Sequence, residues 1–78
     1  MRAHRRSADG RYEYVVHIEP VSILENQPLF AARLQRVIDQ ETGMVVAERP
    51  TTLDAYGETP DDASARVAEL ADQALTDR

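Results

Sequence analysis

Leu29-Phe30-Ala31-Ala32-Arg33-Leu34-Gln35-Arg36-Val37-Ile38-Asp39 is the stretch on which the fold turns, because two periodicities run through it. Read as a strand, Phe30, Ala32, Leu34 and Ile38 share one face and Arg36 is the single breach. Read as a helix, Phe30, Leu34, Val37 and Ile38 line up, and alanine, leucine, arginine and glutamine favour that state. Asn26 and Pro28 could start such a helix and Gly43 could close it. The neighbours favour the strand. Asp39-Gln40-Glu41-Thr42-Gly43 reads as a short hairpin loop with glycine at the left-handed position, and Met44–Glu48 returns as a strand.

Toward the C-terminus, Pro50 interrupts the returning strand and Thr51–Tyr56 resumes an extended pattern. A third strand over 44–56 is therefore expected to be long and bent, with the proline at a bulge or edge. Ala55-Tyr56-Gly57-Glu58-Thr59-Pro60-Asp61-Asp62-Ala63 then marks the passage from strand to helix. Gly57 can take a positive φ at the exit. Thr59 suits the N-cap, Pro60 the first helical position, and Asp61 and Asp62 the positive end of the helix dipole. The helix is expected over 60–76. Its apolar stripe is Ala63, Val67, Leu70, Ala71, Ala74 and Leu75, with Ser64, Glu69, Asp72, Gln73 and Asp77 toward water.

Toward the N-terminus, Tyr12, Tyr14, Val16 and Ile18 alternate with Glu13, Val15, His17 and Glu19, which predicts a half-buried strand over 12–19. Pro20 weakens its end, and Glu25-Asn26-Gln27-Pro28 reads as a connection. Met1–Gly10 is nearly devoid of apolar residues and closes on the turn pair Asp9-Gly10. Residues 1–11 are read as a disordered Arg-rich arm and 12–78 as one small domain. The expected fold class is α+β: a three-stranded antiparallel meander followed by one C-terminal helix, the helix covering Tyr14, Val16, Phe30, Leu34 and Leu53 or their face-mates.

Charge is unevenly spread over the 78 residues, whose net charge is −5. Arg2, Arg5, Arg6 and Arg11 outweigh Asp9 in the arm, while every other acid lies in the body. An acidic body argues against binding of phosphate backbones by the folded part. With no cysteine, neither a disulfide nor a thiolate zinc site can reinforce so small a core, so self-association is a reasonable source of extra burial. No apolar run approaches the ~20 residues of a membrane span, and no signal-type stretch follows the basic N-terminus, so a cytoplasmic protein is expected.

Residues suited to chemistry are scattered. His17 and Glu19 share a strand face but lack a third ligand, and a solvent-facing pair explains them. Ser7, Ser22 and Ser64 have no glycine-framed elbow. Asp61 and Asp62 are accounted for by the helix start, and Gly10, Gly43 and Gly57 form no phosphate-cradling loop. Tyr12, Tyr14 and Tyr56 suit core or sheet-rim positions. The expectation is a chain that is not an enzyme and uses no cofactor or metal.

The junction Tyr56-Gly57-Glu58-Thr59-Pro60-Asp61-Asp62-Ala63 resembles that of the HicB-type antitoxins of bacteria. In that family a glycine, an acid, a threonine, further acids and an alanine open an alanine-rich helix after a three-stranded meander. The likeness covers the last third of the chain. It implies a protein that masks a partner protein, here without a DNA-binding module after the helix. A second resemblance is to double-stranded-RNA-binding domains, which also place a helix after three strands. Their helix opens with lysines where this chain has Asp61 and Asp62, so RNA binding by the same surface is opposed by sign.

Two functions are in play. The first is a protein-binding module that docks a partner or a second copy of itself. Its interface would be the sheet face away from the helix, bearing Val15, His17, Ala31, Arg33, Val37, Val45 and Ala47. Val37 and Val45 would lie near the centre of that interface and Arg33 at its rim. Edge-to-edge strand pairing is the competing geometry, blunted by Pro20 or Pro50 on whichever edge carries them. The second function is weak, salt-sensitive nucleic-acid binding through Arg2, Arg5 and Arg6, with the body dimerising to space two arms.

Overall fold

The computed structural model describes residues 1–21, 28–48 and 53–76, apart from the side chains of Ala47, Glu48 and Thr76. Within it the ambiguous stretch is a strand, Phe30–Asp39, at the centre of an antiparallel sheet. Five strands, β1 (Arg2–Arg6), β2 (Tyr12–Pro20), β3 (Phe30–Asp39), β4 (Val45–Glu48) and β5 (Asp54–Gly57), precede one helix, α1 (Pro60–Thr76). The fold is α+β, an antiparallel meander followed by a C-terminal helix, enlarged by short strands. β2 runs along one side of β3, while β4 and β5 lie end to end along the other. The expected long third strand is thus two short ones on a shared edge, with residues 49–52, Pro50 among them, outside the described residues.

A bulge resolves the breach at Arg36. The register passes from Val15↔Arg36 to Val16↔Leu34, so Gln35 is an extra residue in β3. Gln35 and Arg36 both turn to solvent, and the alternation resumes one step out of phase. Ala32, Leu34 and Val37 consequently face the helix together. Val37, expected at the centre of an exposed interface, is 3% exposed and belongs to the core. Strict alternation put it on the wrong face because one inserted residue flips everything beyond it.

The arm is structured too. Arg2–Arg6 pairs in antiparallel register with β2, from Arg2↔His17 to Arg6↔Glu13. Asp9-Gly10 closes this hairpin: Gly10 has φ 76° and its amide donates to the Ser7 carbonyl at 2.9 Å. The Ser7 hydroxyl accepts from the Tyr12 amide at 3.0 Å and donates to Asp9 at 2.6 Å, so side chains complete what the turn leaves open. Arg2-Ala3-His4-Arg5-Arg6 holds no β-branched or aromatic residue, which is why its composition did not suggest a strand.

The helix starts as its sequence leads one to expect. The Thr59 hydroxyl accepts from the Asp62 amide at 3.0 Å, with Pro60 first in the helix. Gly57 serves a different purpose from the one expected, since positive φ occurs at Gly10 and Gly43. A Cβ on Gly57 would sit 2.5 Å from the backbone nitrogen of Ala63, so the absent side chain lets the helix start lie against the strand. The buried stripe is also rotated from the expected one. Ser64 is 1% exposed, and Ala63, Val67, Ala68 and Ala71 are buried with it, whereas Leu70 is 36% exposed. They close over Tyr14, Val16, Ile18, Ala32, Leu34 and Val37, with Phe30 and Leu53 packed at the margin. Each fully buried valine or leucine contributes about 1.5–3 kcal/mol relative to exposure.

Candidate functional site

The helix packs on β5, β3, β2 and β1 but makes no substantial contact with β4. Three surfaces are thereby left in view: the sheet face away from the helix and the two outer edges, β1 on one side and β4 with β5 on the other.

Polar pairs span the uncovered face. Alternation from Tyr14, Val16 and Ile18 puts Glu13, Val15, His17 and Glu19 there, joined by Arg2, His4 and Arg6 of β1 and by Ala31, Arg33 and Ile38 of β3. His4 meets Glu13 at 3.1 Å and His17 meets Glu19 at 2.9 Å. The second contact holds the Glu19 carboxyl below its ordinary pKa, through the hydrogen bond from His17 and its charge. Arg33 is exposed and lies 3.7 Å from Asp54. Val15 is only 8% exposed although it faces away from the helix; its register partners are His4 and Arg36. With Val37 in the core and Val15 enclosed, two of the four residues expected to form an apolar interface offer it little. Ile38 and the half-exposed Tyr56 occupy this side instead.

β1 is a charged edge fastened to the helix. Arg5 faces inward, where its Nε donates to the Ser64 hydroxyl at 3.0 Å and its terminal nitrogen to the Asp61 carbonyl at 3.0 Å and the Asp61 carboxylate. The Ser64 hydroxyl itself donates to the Asp61 carbonyl at 2.9 Å, so burying this serine leaves no bond unmade. At the other end of the hairpin, Asp72 accepts from the Tyr14 hydroxyl at 2.6 Å and the Ala8 amide at 3.3 Å. Burial, followed by the bond to Asp72, pushes the Tyr14 hydroxyl well above its ordinary pKa. The cleft of about 310 Å³ beside this pair is thus floored by a structural contact. Of the three arginines assigned to nucleic acid, Arg5 is committed to the fold, while Arg2 and Arg6 are exposed on a paired strand.

The β4 edge is the reverse. Met44 is 66% exposed, Val45 43% and Val46 51%, and no charge falls between Glu41 and Glu48. Local hydrogen bonds close the hairpin that carries them: Gly43 has φ 72°, its amide donates to the Asp39 carbonyl at 2.7 Å, and the Asp39 carboxylate accepts from the Glu41 amide at 2.9 Å. A second register shift, between Val37 and Ile38, makes Val46 the extra residue of β4. Val45 was expected at an interface and is exposed; Met44 and Val46 were not singled out. Their signal was a four-residue apolar run, Met44–Ala47, directly after a hairpin glycine.

Among the described residues, no group of three or more histidine, aspartate or glutamate side chains could hold a metal ion, and no helix is long and apolar enough to cross a membrane. No protein-family model matches the chain, and no curated protein or solved structure is significantly similar to it.

Proposed function

We propose that this chain is a non-enzymatic protein-binding module, akin in plan to the HicB-type antitoxin domain, that works by holding another polypeptide. The observation that supports the reading best is the exposure of Met44, Val45 and Val46 on an edge strand the helix leaves uncovered. An edge strand offers a row of backbone donors and acceptors, and natural sheets usually blunt such edges with charge. Here β1 carries Arg2, His4, Arg5 and Arg6, while Met44–Ala47 carries no charge at all. Addition of a strand along β4 would combine main-chain hydrogen bonds with burial of three apolar side chains. The nucleic-acid reading loses its flexible arm, since β1 is paired and Arg5 is engaged.

Capture on the immobilised full chain, from a lysate of the cells that encode it, tests the reading with Val46→Lys alongside. A protein retained by the parent and lost from the variant supports docking at β4. Equal retention by both would move the site elsewhere.

A further inference from the structure

We infer that the free edge of β1 is a second docking edge, one that takes an acidic extended segment of another protein by strand addition. The hydrogen-bond phase of the hairpin fixes what this edge offers. Met1 and Ile18 exchange both backbone bonds, at 2.7 and 3.1 Å, and the Ser7 amide donates to the Tyr12 carbonyl at 2.9 Å. Antiparallel alternation then turns the backbone of Ala3 and Arg5 toward β2 and that of Arg2, His4 and Arg6 outward, at the end of the sheet. Donors and acceptors alternate along such an edge. A polypeptide matches that pattern, whereas a phosphate backbone only accepts.

The side chains select an acidic partner. Arg2 and Arg6 are exposed, and among the described residues neither has an ion-pair partner. Glu13, opposite Arg6, is engaged by His4 at 3.1 Å, and Glu19 by His17, which stands opposite Arg2, at 2.9 Å. A chain of net charge −5 thus leaves two arginines unmatched on the strand whose backbone is free. On the helix side of the same edge lies an open cleft of about 390 Å³, lined by the apolar residues Met1, Ala3, Ile18 and Pro60 together with Asp61 and Ser64. An antiparallel strand with one acid opposite Arg6 and another four residues on, opposite Arg2, places the residue before the second acid opposite Ala3, on the side of this cleft. The recognised segment therefore reads acid-x-x-apolar-acid. This site is separate from the β4 edge and stands or falls without it.

Fluorescence anisotropy reads the outcome on the full chain. The probe is a labelled, end-blocked peptide with glutamates four apart, leucine directly before the second and threonine elsewhere. Saturable binding is expected, weakened about tenfold by Arg2→Ala and Arg6→Ala together and unchanged by Val46→Lys, which alters only the β4 edge. Exchanging both glutamates for lysine should abolish it. N-methylation of the peptide residue opposite His4 removes a bond to β1 and should weaken binding about tenfold, whereas methylation one residue earlier, where the amide points away, should have little effect. Far-UV circular dichroism verifies the fold, and Arg6→Ala alone replaces the pair should the double variant unfold. A peptide that fails to bind, or binds regardless of the arginines, overturns the proposal. Equal losses from the two methylations would show attraction of charge without strand addition, and equal binding of a thymidine oligonucleotide of the same charge would show a general polyanion surface; either result also overturns it. None of these outcomes bears on docking at β4, which the capture experiment judges.

Discussion

On one edge of the sheet, β1 packs three arginines and a histidine into five residues and is fastened to the helix at both ends of its hairpin. On the other, β4 follows an uncharged turn glycine, leaves Met44, Val45 and Val46 exposed, and gains little from the helix. An edge strand must either be made unattractive to other strands or be given one. β1 takes the first course toward any strand without acids, and its cost in local propensity is offset by side-chain bonds to Asp61, Ser64 and Asp72. β4 carries a charge only at its last residue, Glu48, and the helix does not cover it. Stability is thus concentrated on the charged edge, and availability on the apolar one.

Val37→Glu breaks the comparison outright, because Val37 pairs with Tyr14 of β2 and with Ala47 of β4 where the two halves meet. A carboxylate there is buried and unpaired, so a loss of several kcal/mol is expected, enough to abolish cooperative unfolding in a domain of this size. Thermal melts followed by circular dichroism would show it; retention of the parent's transition would mean Val37 lies at the surface after all.

Tyr14→Phe tests the far anchor of the charged edge. Losing a buried hydroxyl's bond to a carboxylate should cost about 1.5–3 kcal/mol in urea unfolding. Arg5→Ala tests the near anchor and should cost about 1–2 kcal/mol, with faster amide exchange in β1. Val46→Lys on the opposite edge should change unfolding at low concentration by no more than about 0.5 kcal/mol. If the two edges respond alike to these last substitutions, the contrast between them is wrong.

The smallest effect is one of pH. Hydrogen bonds to Asp9 from the Ser7 hydroxyl and the Arg11 amide hold its carboxyl below its ordinary pKa. The stabilisation is then complete above the unfolded value of about 3.9 and is lost as pH falls through the lower folded value. Acid should therefore loosen the β1–β2 turn, seen as faster exchange of the Arg11 and Tyr12 amides once intrinsic rates are divided out. Asp9→Asn should remove that pH dependence.

Local chemistry alone carried much of the architecture. Tyr12–Ile18 announced a strand by alternation, Asp39–Gly43 a hairpin, and Thr59-Pro60-Asp61 a helix start, because each rests on interactions within a few residues. Tertiary structure decided what those patterns could not. Arg2–Arg6 became a strand through β2, Asp61 and Ser64, partners up to 59 residues away that no composition reveals. The helix buries Ser64 rather than Leu70, and the serine's hydroxyl meets Arg5 from the far end of the chain. Gln35, one extra residue opposite Val15 and Val16, carried Val37 from the expected interface into the core and left the exposed apolar surface to β4. A strand's own sequence sets its alternation, but the phase of that alternation is set by the register with its neighbours, and register exists only once the strands have paired.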